Sequence, residues 1–163
     1  MKYIKQTLLF VLLFCGISIA QVTVSATAMG TFSVLGYATV TRLADLDFGA
    51  LIVGVNTTVL PTDAQAAEFL FNGNVNTDVQ VTITFPSDLI CGSNTMKFHE
   101  ISPIYNTIPD ASSATQFKHT SGGSATTGAD GNLYIWAGGR VMANKNQAAG
   151  QYTGIIQIVV VQP

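Results

Sequence analysis

The residues from Gly150 to Pro163 read GQYTGIIQIVVVQP. Chains commonly run out in a polar, frayed tail. Here a strongly apolar strand, Gly150–Val161, is followed only by Gln162 and Pro163. A strand of that character has to be flanked by others, so its neighbours are to be sought in the rest of the sequence.

The longest candidate lies at the other end. From Gln21 to Val34, QVTVSATAMGTFSV alternates with period two. Val22, Val24, Ala26, Ala28, Gly30, Phe32 and Val34 fall on one face, and Gln21, Thr23, Ser25, Thr27, Thr31 and Ser33 on the other, with Met29 the apolar exception. That is strand periodicity over an unusual length. Gly30 leaves a gap on the apolar face, where another backbone or side chain can approach closely.

Shorter strands are predicted between these two: Leu46–Val53, then Thr57–Leu60 closed by Pro61, then Ala67–Phe71 turning at Asn72-Gly73. VQVTITFP is the cleanest, with Val79, Val81, Ile83 and Phe85 on one side and Pro86 as its stop. Met96–Ile101 follows, and NLYIWAGGRVM resumes strand character with a break or bulge at Gly138-Gly139. Asp110–Gly131 is polar and low in complexity; it predicts a long surface excursion with at most a poor edge strand at Gln116–His119. No 3.6-residue period is found after residue 20. The expectation is a single all-β domain, an immunoglobulin-like Greek-key sandwich over residues 35–163, with 21–34 as a separate N-terminal strand.

Residues 1–20 read as a signal peptide. Lys2 and Lys5 precede the apolar run Leu8–Ala20, which ends in Ser18-Ile19-Ala20. The run is too short for a spanning helix, and no later run is long enough to cross a bilayer. Its removal predicts an exported chain of 143 residues whose net charge moves from −2 to −4. No basic stripe marks a nucleic-acid partner. Cys91 is then the one remaining cysteine, so an internal disulfide is impossible. It reads either as a small buried apolar side chain or as a reactive thiol, although no His or cluster of cations adjoins it.

The chain offers little catalytic chemistry. His99 and His119 are its only histidines, and neither has metal-ligand spacing to another His, Cys or acidic residue. Asp47-Phe48-Gly49 matches a kinase tripeptide without the loops that give it meaning; Leu46 and Phe48 are expected inward, Asp45 and Asp47 outward, with Gly49 relaxing the strand. The glycines of SGGSATTGADG lack a following Lys and a strand-to-helix transition, so they form no phosphate loop. Asp130-Gly131-Asn132 reads as a turn. The expectation is a protein that is not an enzyme and takes neither cofactor nor metal.

Two stretches together resemble a known group. LADLDFGALIVG carries an L-x-F-G strand at Leu46–Gly49, and AGQYTGIIQIVVV carries Gly150, Tyr152, Gly154, Ile158 and Val160 in a G-x-Y-x-G strand. AEFLFNGNVNTDVQVTITFPSD and LYIWAGGRVM are similar to the same group's middle strands. The group is a bacterial exported domain family of unknown function, similar to spore coat protein U and to the subunits of chaperone–usher fimbriae. The resemblance covers roughly Leu43 to the C-terminus. It implies a sandwich that ends at its sixth strand and borrows its last, first from a periplasmic chaperone and then from the N-terminal extension of the next subunit. The chain departs from the fimbrial pattern in having Gln162 next to last and no disulfide.

On that resemblance the chain is expected to be a structural subunit of a fimbria-like assembly or surface coat. It would pass through the periplasm to the cell surface and pair with copies of itself or related subunits, with a chaperone and usher as further partners. Gln21–Val34 would be the donor strand and Gly150–Val161 one wall of the acceptor groove. Tyr152 would either hydrogen-bond backbone at a strand-crossing corner or simply pack. The alternative is a monomeric secreted module whose N-terminal strand completes its own sheet and whose loop near Ser112–Gly131 contacts a glycan or surface partner.

Overall fold

A computed structural model describes residues 22–32 and 38–162. The expected leader, Gln21, Val34 and the connection 33–37 lie outside the described residues. In chain order the strands are β1 (Val22–Phe32), β2 (Thr39–Ala44), β3 (Leu46–Leu51), β4 (Asn56–Val59), β5 (Ala67–Asn72), β6 (Asp78–Thr84), β7 (Asp88–Cys91), β8 (Asn94–Glu100), β9 (Ile104–Asn106), β10 (Thr115–Gln116), β11 (Gly122–Thr126), β12 (Asn132–Ala137), β13 (Gly139–Met142) and β14 (Gln151–Val161). One 3-10 turn, Ala111–Ser113, is the only helical element among the described residues.

The strands make two sheets. Nine of them (β1, β3, β4, β6, β7, β8, β11, β13 and β14) form one, and the other runs in the order β10-β9-β12-β5-β2. This is the all-β sandwich that the alternation predicts. Period two puts every second side chain on the inner face. Val79, Val81 and Ile83 of β6 are buried, and the residues between them are exposed. Phe69 and Phe71 of β5 and Leu133 and Ile135 of β12 line the five-stranded sheet's inner face, and all four are buried in one core with Met96, Ile156 and Ile158 of the larger sheet. A fully buried Phe or Ile side chain contributes about 1.5–3 kcal/mol, so burial in this layer is a large favourable term for the fold.

The chain changes sheets repeatedly, and three of these crossings bear on the groove and the sequence breaks. Asp45 separates β2 in the small sheet from β3 in the large one, Gly138 separates β12 from β13, and the turn beginning at Leu60-Pro61 takes β4 toward β5. The Gly138-Gly139 break in the sequence is thus a crossing between layers rather than a bulge within one. Pro86 interrupts the run of β6 into β7, and both strands lie along one edge of β14, with Thr84 opposite Gln157 and Ile90 opposite Thr153. Residues 85–89 therefore span the same length as residues 154–156.

Three differences from the sequence reading have physical causes. The strand predicted to run to Val53 stops at Leu51; Ile52 and Val53 are 71% and 45% exposed in a turn, because β4 returns at once. The polar excursion holds a real strand, β11, which pairs antiparallel along β6 from Gly122↔Thr82 to Thr126↔Asp78. Its small residues have little strand preference of their own, and β6's free edge supplies the pairing. The poor edge strand foreseen at Gln116–His119 is instead the two-residue β10, and Phe117 beside it is buried against Tyr105.

Candidate assembly groove

The two stretches singled out at the ends of the sequence meet. β1 runs parallel to β14 over ten residue pairs, from Thr23↔Gln151 to Phe32↔Val160. The apolar face of β1 sits in register with the motif of the terminal strand: Val24 opposite Tyr152, Ala26 opposite Gly154, Ala28 opposite Ile156, Gly30 opposite Ile158 and Phe32 opposite Val160. Val22 reaches the other wall, opposite Leu51 of β3. Val34 lies outside the described residues. In the structure the neighbour of β14 is thus the N-terminal strand of the same chain.

β14 supplies one wall because of its own alternation. Tyr152, Ile156, Ile158 and Val160 are buried, whereas Gln151, Thr153, Ile155 and Gln157 are exposed. Gly154 takes the remaining inner position for steric reasons. A Cβ there would lie 2.5 Å from Leu89 Cδ2 and 2.9 Å from Pro86 Cγ, where the interrupted β6–β7 edge crowds in. Gly150 precedes the strand and packs on Cys91; a Cβ at Gly150 would lie 2.5 Å from the Cys91 sulfur. Cys91 is half-buried at the margin of the core.

β3 supplies the second wall, antiparallel to β1 from Val22↔Leu51 to Ala26↔Leu46. Its register slips between Val24 and Ser25, which face Gly49 and Asp47 respectively and leave Phe48 as the extra residue. Gly49 has φ +65°, and its N–H donates to Asp47 Oδ1 at 2.8 Å. This bulge shifts the phase of the strand, so that Leu46 and Phe48 before it and Leu51 after it all point inward. The Asp-Phe-Gly tripeptide is accordingly a backbone device.

Past Leu46 the second wall ends, and a side chain takes over. The Ala28 N–H donates to Asp45 Oδ1 at 3.1 Å, and Arg42 Nη1 donates to the same oxygen at 3.0 Å. Asp45 is exposed, as the sequence reading expects, and the crossing from β2 to β3 also brings its carboxylate to β1.

Three side chains of β1 have a described burial. Ala26 and Ala28 are 0% and 4% exposed, and Ser25 is half-buried. Each buried methyl contributes about 0.8 kcal/mol, roughly a quarter to a half of what one core phenylalanine gives. The ladder's backbone hydrogen bonds add about 0.5–1.5 kcal/mol each.

Tyr152 anchors the start of β14. Its ring is fully buried, its hydroxyl donates to Ala148 O at 2.9 Å, and it accepts from Gln147 Nε2 at 2.6 Å. Gln147 Nε2 also donates to Thr95 O at 3.0 Å, tying the turn before β14 to the start of β8. Tyr152 therefore both packs and makes a corner hydrogen bond four residues upstream. At the other end Gln162 Oε1 accepts from the Asn74 N–H at 3.0 Å, which fixes the end of β14 to the turn between β5 and β6.

His99 and His119 stand apart, on β8 and on the turn before β11. Among the described residues no group of three or more His, Cys, Asp or Glu side chains is placed to hold a metal ion. No helix among them is long and apolar enough to cross a membrane. No protein-family model and no curated protein matches this chain.

Proposed function

We propose that the protein is an exported structural subunit of a cell-surface assembly, fimbria-like or coat-like, in which N-terminal strands pass between copies. The observation that carries this reading is the parallel pairing of β1 with β14. It is the only parallel pair among the described strands.

A parallel pair cannot be closed by a hairpin and needs a long crossover. Here that crossover is the whole domain between β1 and β14. No tight turn ties β1 to either wall, and its two described inner side chains are alanines. Such a strand is held by its two backbone ladders, which the same strand of another copy would reproduce. The vacated slot would expose the edges of β14 and β3 together with an apolar floor, and such an edge recruits another strand. The same residues of a second copy satisfy it by symmetry of sequence, which is the logic of strand swapping. In the free subunit the strand closes its own slot; in the assembly a neighbour's strand does so. A periplasmic chaperone and an outer-membrane usher are the partners that would hold the slot open during export.

The test is deletion of residues 21–34 in the mature protein. Polymers seen by light scattering and electron microscopy should disappear, and a synthetic Gln21–Val34 peptide should bind the truncated subunit one to one. Unchanged polymerisation by the truncated protein would sink the mechanism. A full-length chain that stays monomeric at every concentration, alone and with its chaperone, would replace it with a self-complemented monomer.

A further inference from the structure

A second feature lies on other strands. Where the edge strand β10 of the small sheet faces the edge strand β11 of the large one, the sandwich opens into a cleft of about 440 Å³. That falls within the usual size of small-molecule sites. Phe117 forms its buried base and Tyr105 its half-exposed ring, with centroids 4.4 Å apart and planes tilted by 38°. Around them stand the carboxamides of Gln80 and Gln116, the hydroxyl of Ser124 and the ammonium of Lys118. Among the described residues no Asp or Glu lines the cleft, in a chain with more acidic than basic residues.

We propose that this cleft binds a saccharide bearing a carboxylate. Carboxamides donate and accept at once, which matches sugar hydroxyls that do the same. Ser124 Oγ donates to Gln80 Oε1 at 3.0 Å, so the Gln80 oxygen is held and its amide N–H groups remain to donate. Tyr105, backed by Phe117, offers the apolar ring face on which the C–H side of a pyranose can lie. Lys118 supplies a formal positive charge with no carboxylate among the described lining residues to oppose it, which selects an acidic sugar over a neutral one; His119 beside it also lines the cleft. The cleft is built on β6, β9, β10 and β11, whereas β1 is held by β14 and β3; the inference therefore does not depend on strand exchange.

The experiment is NMR titration of the mature protein with uronate- and sialate-terminated oligosaccharides, and with neutral oligosaccharides of equal length. The acidic sugars should shift the amides of Tyr105, Thr115–Lys118 and Ser124. Gln80→Ala and Gln116→Ala should each weaken binding about tenfold, equivalent to about 1.4 kcal/mol, with the rest of the spectrum unchanged. Lys118→Ala should abolish the preference for acidic over neutral sugars. Absence of shifts at these amides with every acidic sugar overturns the proposal. Neutral sugars binding as well as acidic ones, or unaltered affinity in both glutamine variants, also overturns it.

Discussion

The backbone N–H of Ala28 donates to the carboxylate of Asp45, seventeen residues further along the chain, at 3.1 Å. The contact joins the N-terminal strand to the point where the chain leaves one sheet for the other. It also stands where β3 no longer offers β1 a backbone partner, since their pairing ends at Ala26↔Leu46. Replacement of Asp45 by Ala removes this acceptor and the Arg42 ion pair together. The expected cost is about 1 kcal/mol. Amide exchange should speed up at Ala28 and beyond it in β1, while β5 and β12 remain protected. Uniform protection along β1 in the variant would show that Asp45 does not hold the strand.

Tyr152→Phe keeps the buried ring and removes only the hydroxyl. Gln147 loses an acceptor and the Ala148 carbonyl loses a donor in a partly buried place. A loss of about 1–2 kcal/mol is expected, seen as a Tm lower by about 3–6 °C. Because the corner precedes β14, the variant should also loosen the first β1–β14 pairs. A Tm equal to wild type would reduce Tyr152 to a packing residue.

Gly154→Ala tests the crowding at the β6–β7 interruption. The new methyl would meet Leu89 and Pro86 at distances below ordinary contact. Overpacking of this kind costs about 1–3 kcal/mol. Restoring room by Leu89→Ala in the same chain should recover part of the loss, because the two sites share one contact. Additive destabilisation in the double variant would contradict this account.

Acid should weaken the fold through three aspartates. The Ser112 hydroxyl, then the Ser113 hydroxyl and the Ser112 amide, hold Asp110 below the ordinary carboxylate range. The Asn132 backbone amide and then its side chain do the same for Asp130, and the Lys97 ammonium does so for Asp88. A folded-state value below the unfolded one means the folded state binds its proton less readily. The stabilisation is therefore complete above the unfolded value and lost as pH falls through the folded one. The urea midpoint should decline from about pH 5 downward, and Asp110→Asn should flatten part of that decline. A midpoint that rose toward acid would reverse the sign of the argument.

Much of the architecture was legible residue by residue. The alternation of Val79, Val81 and Ile83 names the inner face of β6 without reference to any partner, because a strand's side-chain period is a local property. The same holds for β14, where Tyr152, Ile158 and Val160 alternate with polar or exposed positions. The strand β11 was not legible. Gly122, Gly123 and Ser124 prefer no particular extended state, and only the edge of β6 makes them a strand. Neither were β7 and β9, short elements whose pairing partners lie on strands far from them in sequence or across a turn.

The candidate groove divides in the same way. Its two strands, and the faces they turn inward, follow from the pattern at each end of the sequence. Their mutual arrangement does not, since periodicity carries no information about partner, direction or register. The parallel pairing that sets Ala26 against Gly154 and Ala28 against Ile156 depends on the intervening sandwich, which fixes where β14 and β3 stand. The role of Asp45 has the same origin. A lone aspartate after Ala44 is only a polar residue at a strand end until the chain crosses between sheets and brings its carboxylate to the Ala28 amide. Local preference decides which residues face inward, and the closure of a core over the whole domain decides what they face.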